Sequence, residues 1–196
     1  MYLCGAGGHA KVIIDILEAN NVCIDGIFDI NESYKSLFDY PVFHSNDLKG
    51  PLIISIGNNK IRKRIAMSTN VEFGQAIHPS AIISIRTHIG DGSVVMHGAI
   101  IQPCSTVGKH CIINTGASVD HECIIEDFVH ISPHSTLCGN VKVGEGSWIG
   151  AGATIIPGVT IGKWCVIGAG SIVIRDVPDN IVAYGSPCKI VRQNKI

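Results

Sequence analysis

Of the nine histidines in this 196-residue chain, His121 has the most suggestive neighbours, with Asp120 before it and Glu122 after it. Imidazole ordinarily titrates near neutrality, which suits it to take a proton from a nucleophile as a new bond forms. A carboxylate that accepts a hydrogen bond from one ring nitrogen fixes the tautomer and raises the basicity of the other. Glu122 is placed for that task, although a solvated turn histidine would have the same sequence. A second chemical cluster opens the chain. Gly5-Ala6-Gly7-Gly8-His9-Ala10 follows the apolar run Tyr2-Leu3-Cys4 and precedes Val12, Ile13, Ile16 and Leu17 at helical spacing. A glycine turn entering a helix presents backbone N–H groups to phosphate, so Gly7, Gly8 and His9 are candidate ligand contacts. The turn Gly57-Asn58-Asn59 supplies a candidate second wall.

The elements that must position His121 are set by a repeat. From Ile77 to Pro178 a branched aliphatic residue recurs at every sixth position, as in Ile77, Ile83, Ile89, Val95 and Ile101 through to Ile167 and Val173. Four residues after each comes a small one, including Ala81, Ser93, Ala99, Cys111, Ala117, Cys123, Ser147 and Cys165. Self-similarity this strict fixes architecture before local propensity is consulted. Short β runs separated by turns, each burying one aliphatic side chain, complete a core only by stacking on the next coil. The repeat index places His121 outward, at a turn. Cys111, Cys123 and Cys165 fall in the small inward slot and read as buried packing residues.

The first 70 residues have a different rhythm. Strands are expected at Tyr2-Leu3-Cys4, at Ile24 to Phe28 and at Leu52 to Ile56, with helices after Gly8 and after an Asn58 or Asn59 cap. Asn31 to Asp47 shows no period and reads as a connection. The first strand begins almost at Met1, which suggests either a start codon downstream or a frayed sheet edge. Gly5-x-Gly7-x-x-Ala10, with Asp29 at a strand end 24 residues after Gly5, fits a dinucleotide fingerprint. A unit of this size lacks the second half that a dinucleotide needs. A nucleotide-sugar fits better, with pyrophosphate at the glycine turn and the base near Asp29. The expected organisation is an α/β Rossmann-like half-domain over residues 1–70 and an all-β parallel helix with a C-terminal tail over residues 71–196.

Composition excludes several classes. Net charge is −1 with no basic block, so nothing argues for nucleic acid. No apolar stretch is long enough to span a bilayer and the N-terminus lacks signal-peptide regions, so the expected location is cytoplasmic. Eight cysteines without a Cys-x-x-Cys pair argue against thiolate zinc. No His-x-x-x-x-His pair occurs between Ile89 and Pro178, against a histidine-bound zinc site of the carbonic anhydrase kind.

The pattern of aliphatic-Gly-x-x-small, at Ile89-Gly90, Val107-Gly108, Val143-Gly144, Ile149-Gly150, Ile161-Gly162 and Ile167-Gly168, resembles the hexapeptide repeat of the left-handed parallel β-helix. At three hexapeptides per coil, that implies between five and six coils. Gly5 to Val12, Ile56-Gly57-Asn58-Asn59-Lys60-Ile61-Arg62, Val119-Asp120-His121-Glu122-Cys123-Ile124, Phe128-Val129-His130-Ile131, Cys138-Gly139-Asn140-Val141 and Tyr184-Gly185-Ser186-Pro187-Cys188-Lys189 together resemble the bacterial sugar O- and N-acyltransferases. The likeness is strongest to acetyltransferases acting on UDP-4-amino-4,6-dideoxy sugars.

The resemblance implies acetyl-CoA as co-substrate, no metal, and a homotrimer with active sites between adjacent prisms. It implies His121 as general base supported by Glu122, and Asn114 near the reacting amine. It places His130, Gly139, Ala151 and Lys189 against acetyl-CoA, with Arg192 as a further candidate for its phosphates. Cys188 departs from the alanine usual after Pro187. O-acetylation of a sialic-acid-type hydroxyl, and a non-catalytic nucleotide-binding scaffold, remain as alternatives on the same frame.

Overall fold

The computed structural model describes residues 1–195. The N-terminal part is a five-stranded sheet made by β1 (Tyr2–Cys4), β2 (Gly26–Phe28), β3 (Ser36–Leu37), β4 (Tyr40–Phe43) and β5 (Leu52–Ile54), in the order β3-β4-β2-β1-β5. β1 is parallel to both β2 and β5, so the first strand is interior and the expected frayed edge is corrected. The Asn31–Asp47 segment is also more ordered than its sequence implies. β3 and β4 form an antiparallel hairpin, and β4 runs parallel to β2. Two and four residues are too few to show a period, and the place beside β2 is a tertiary contact.

Helices cover both faces of this sheet. α1 (Gly8–Ala19) buries Ala10, Ile13, Ile14, Ile16 and Leu17 against Leu3, Ile27 and Ile53. α2 (Asn59–Ser68) sets Ile65 and Ala66 against Phe28, Leu52 and Ile54. Asn58 caps α2, its Oδ1 accepting from Ile61 N at 3.0 Å.

The rest of the chain is a left-handed parallel β-helix. Seventeen two-residue rungs fall on three faces: six rungs on the first (Ala76–Ile77 to Val166–Ile167), six on the second (Ile82–Ile83 to Ile172–Val173) and five on the third (His88–Ile89 to Thr160–Ile161). Rungs pair 18 residues apart, as Ile101 with Val119 and Val119 with Leu137. The aliphatic and small positions fill the interior, with Val107, Cys111, Ile113, Ala117, Val119 and Cys123 all 0% exposed. Two antiparallel strands, Ile181–Gly185 and Cys188–Gln193, extend the first face, and Cys188 packs against the core.

The corners carry a further period. From Gly92 to Gly170 every sixth residue has positive φ; seven are glycine and the others are Cys104, His110, Glu122, Phe128, His134, Asn140 and Trp164. The left-handed residue lets a two-residue corner reverse the chain onto the next face.

The N-terminal part sits on the first face. α1 packs on Ala76, Val94, Met96 and Ile112. α2 crosses the corner between the third and first faces, where Phe73 meets the His110 ring edge-on at 4.5 Å and Phe128 stacks on it at 5.2 Å. Lys63 pairs with Glu145 there and lies over the rings of Phe128 and Trp164.

Candidate active site

His121 occupies the corner between the second and third faces and is exposed. Its backbone N–H donates to Asp120 Oδ1 at 2.8 Å, and its Nδ1 lies 3.0 Å from Glu122 Oε2. A carboxylate accepts only, so Nδ1 carries the proton and Nε2 presents a lone pair. Glu122 holds the left-handed corner position. One coil later the same corner carries Gly139, and the His121 ring lies on it. A Cβ there would come within 2.6 Å of Cε1 and 2.7 Å of Nε2, so only glycine admits the ring. Gly139 N–H has no acceptor among the described residues. A lone pair and a free N–H donor therefore stand side by side, the pairing that proton removal and oxyanion stabilisation require.

The interior props this corner. Ser105 Oγ donates to Asp120 O at 2.6 Å and accepts from Cys123 N, while Cys123 Sγ donates to Cys138 O at 3.2 Å. Burial pushes the Cys123 thiol pKa up. Ser105 and Cys123 thus hold the residues just before His121 and Gly139.

The glycine turn forms the second constellation. A cleft of about 410 Å³ opens at the carboxyl ends of β1 and β5, where the strand order reverses. Gly7, Gly8, His9, Asp29 and Gly57 line it, joined by Asn31, Tyr34 and Ser55, which the sequence did not single out. A Cβ at Gly7, Gly8 or Gly57 would meet no atom within 4 Å, and none of the three has positive φ. Neither packing nor conformation demands glycine there; open space over backbone N–H groups suits a close-fitting ligand.

Asp29 closes the turn itself, with Oδ2 accepting from Ala6 N at 2.7 Å and Oδ1 from Asn31 N at 2.8 Å. A second cavity of about 430 Å³, sharing Gly5, Asp29 and Ile56, lies on the α2 side of the strand ends. Asn59 is turned away from ligand: its Nδ2 donates to Gly146 O and Ser147 O and its Oδ1 accepts from Arg62.

His130 and Asn114 form a pair on the first face, with Asn114 Nδ2 3.1 Å from His130 Nε2. Asn114 Oδ1 accepts from Thr115 N, which fixes the amide so that Nδ2 is the donor. His130 stacks on the half-exposed Trp148. Burial, then the charges of Arg62 and His9, lower its pKa to about 3. Burial and Arg62 likewise lower His9 to about 4, and His9 Nε2 is buried without a partner. Ala151 lies exposed on the corner between the first and second faces, and Lys189 is exposed in the last strand. One chain therefore brings together His121, Glu122 and Gly139 on one corner, and His9, Asn114 and His130 around the first face. Opposite sides of the prism separate the two groups.

A glycine-turn α/β unit followed by a hexapeptide-repeat β-helix with a hydrogen-bonded His–Glu pair on one corner defines a hexapeptide-repeat transferase. The PglD N-terminal domain family matches residues 1–69, and the bacterial transferase hexapeptide family, of six repeats, matches residues 140–175. A histidine-to-asparagine variant of perosamine N-acetyltransferase from Caulobacter crescentus, in complex with CoA and GDP-perosamine, superposes with TM-score 0.91. It is 37% identical, over 98% of this chain and 96% of that one. The acetyltransferase domain of PglB from Neisseria gonorrhoeae, in complex with acetyl coenzyme A, is 35% identical over 97% and 98%, with TM-score 0.91.

UDP-N-acetylbacillosamine N-acetyltransferase of Bacillus subtilis is 41% identical over 107 residues, 48% of this chain and 50% of that protein. The chain spans half or less of the length of the curated relatives it matches. On the whole-length similarity, the chain belongs to the acetyl-CoA-dependent sugar N-acetyltransferase family with a PglD-type N-terminal domain. Among the described residues no His, Cys, Asp and Glu cluster has metal-holding geometry, and no helix is long and apolar enough to cross a membrane.

Proposed function

We propose that this chain transfers the acetyl group of acetyl-CoA to the 4-amino group of a UDP-linked 4-amino-4,6-dideoxy sugar. The observation that carries the reading is the His121 ring lying on Gly139, with Nδ1 on Glu122 and Nε2 without a partner among the described residues. The amine nitrogen attacks the thioester carbonyl carbon, and His121 Nε2 takes the amine proton as the C–N bond forms. The carbonyl oxygen becomes an oxyanion facing Gly139 N–H. Collapse breaks the C–S bond, and the leaving thiolate takes the proton from His121. Amide, free thiol and neutral imidazole result. Glu122 stabilises the imidazolium between the two transfers.

The pyrophosphate is read at Gly7, Gly8 and His9, and the Gly57 turn closes the cleft. Because His121 lies across the prism from this cleft, the site is completed between copies. The His121 corner of one prism meets Asn114 and His130 of the next, and three such heterologous contacts close a ring. In that arrangement His130 and the Ala151 corner border the acetyl-CoA channel, with Lys189 near its phosphates and both substrates drawn from the cytoplasm. Support comes from the relatives, whose bound ligands are CoA, acetyl-CoA and a nucleotide-linked amino sugar.

The test is thiol release from acetyl-CoA with UDP-, GDP- and dTDP-linked 4-amino sugars and free sialic acid. Turnover with the UDP-linked amine, lost in His121→Ala at unchanged oligomeric size, is expected. A preference for the GDP-linked sugar overturns the nucleotide assignment alone. Acetylation of sialic acid alone overturns the amine acceptor.

A further inference from the structure

Arg62 is the largest fully buried side chain, 1% exposed. Its guanidinium is saturated with hydrogen bonds: Nε donates to His110 O at 2.8 Å, Nη1 to Ile56 O and Gly57 O, and Nη2 to Asn59 Oδ1 and Phe128 O. Every one of those acceptors is neutral. No carboxylate lies within 4.0 Å of it among the described residues. Buried cations are ordinarily paired with an anion, because desolvating a full charge is expensive. Burial lowers the Arg62 pKa only to about 10, so the charge persists at neutrality.

Two of its acceptors, Ile56 and Gly57, line the glycine-turn cleft, which has no Lys or Arg in its wall. In a trans peptide the N–H points opposite to the C=O. Holding Ile56 O and Gly57 O therefore turns the N–H groups of Gly57 and Asn58 away from Arg62. Neither N–H has an acceptor among the described residues. The free N–H of the lining residue Gly57, the first turn of α1 and a Cβ-free floor border one cleft, with the free Asn58 N–H next in the chain and an unpaired cation behind.

We propose that Arg62 is a positioning residue for the substrate's diphosphate, its buried charge complementing the anion and its hydrogen bonds aiming the Gly57 and Asn58 N–H groups at it. This rests on the nucleotide-sugar reading above and gives the diphosphate of the acceptor substrate a specific partner, which a monophosphate-linked or free sugar would lack. The low pKa of His9 fits, since a neutral imidazole leaves Arg62 as the full positive charge behind the wall.

Titration calorimetry at pH 6.5 with UDP and with uridine tests it, on wild type, Arg62→Gln and Arg62→Lys. Wild type is expected to bind UDP at least about tenfold tighter than uridine, and Arg62→Gln to lose on the order of tenfold of that ratio, the size of one charge interaction at intermediate dielectric. Uridine affinity stays unchanged. A folded Arg62→Gln protein of unchanged oligomeric size that keeps the ratio overturns the proposal.

If Arg62→Gln does not fold, Arg62→Lys decides. Lower thermal stability with the ratio within about twofold of wild type supports the charge, and a ratio that collapses overturns it. A wild type that prefers neither ligand, with GDP and guanosine giving the same result, overturns the nucleotide reading itself.

Discussion

Two corners of the prism are built on one backbone and do opposite things. Between the second and third faces, Cys104, Glu122 and Asn140 take the left-handed position; between the third and first, His110, Phe128 and Trp164 take it. At the first corner the His121 imidazole is exposed within one chain and a carboxylate sets its tautomer. The second lies under α2, so its rings stack, its carbonyls receive Arg62, and burial with the Arg62 charge lowers His110 to about 4. The repeat therefore places a side chain, and what covers the corner decides whether it can move a proton.

The sharpest way to break this contrast is to exchange the effects. His121→Ala is expected to lower kcat about 10²- to 10⁴-fold while changing unfolding free energy by less than about 0.5 kcal/mol, as for an exposed residue. Arg62→Gln should do the reverse in stability, costing about 3 kcal/mol because it strips a buried hub from several carbonyls. Chemical denaturation of both variants checks the pair. Equal destabilisation would show that the two corners share one structural role.

Glu122→Gln keeps an acceptor but loses the charge, so kcat should fall about tenfold at saturating substrates. An unchanged kcat would leave Glu122 as a solvated carboxylate.

The last effect is in acid stability. His9, His110 and His130 are neutral in the folded chain, with pKa values near 4, 4 and 3. An unfolded histidine takes up a proton near pH 6.5. The unfolded state therefore binds more protons between pH 6.5 and about 4, and stability falls as pH drops through that window, by up to about 1.4 kcal/mol per pH unit for each histidine. His110→Phe should flatten the slope by one such share and stay within about 1 kcal/mol of wild type at pH 7. Its Nδ1 is already buried without a partner, and Phe73 and Phe128 offer ring contacts. Urea unfolding at pH 5 and 7 measures it; an unchanged slope would mean that His110 is protonated in the fold.

Much of this was readable from residue types. The hexapeptide spacing predicts the faces and the interior places of Cys111, Cys123 and Cys165, and Asn58 is legible as the cap of α2. The left-handed corners left a weaker signal, glycine at Gly92, Gly98, Gly116, Gly146, Gly152, Gly158 and Gly170, hidden because other residue types fill the other seven corner positions in no regular order. Asn59 and Arg62 stood inside a recognisable motif, yet their partners lie up to 88 residues away on three successive coils. No local pattern encodes such pairings. Tyr34 and Ser55 enter the cleft because the strands assemble in the order β3-β4-β2-β1-β5, which short strands do not announce.

What the sequence determined by itself was the prism, because a core that repeats every six residues has one way to stack, and the histidine that stands beside a carboxylate on its corner. What only the tertiary structure decided was which corner stays open. The seating of the α/β unit on the first face turned the corner histidine His110 into neutral packing beside Arg62 and left His121 in solvent against Gly139. Burial and charge act through space, and the repeat is blind to what lies across from each turn.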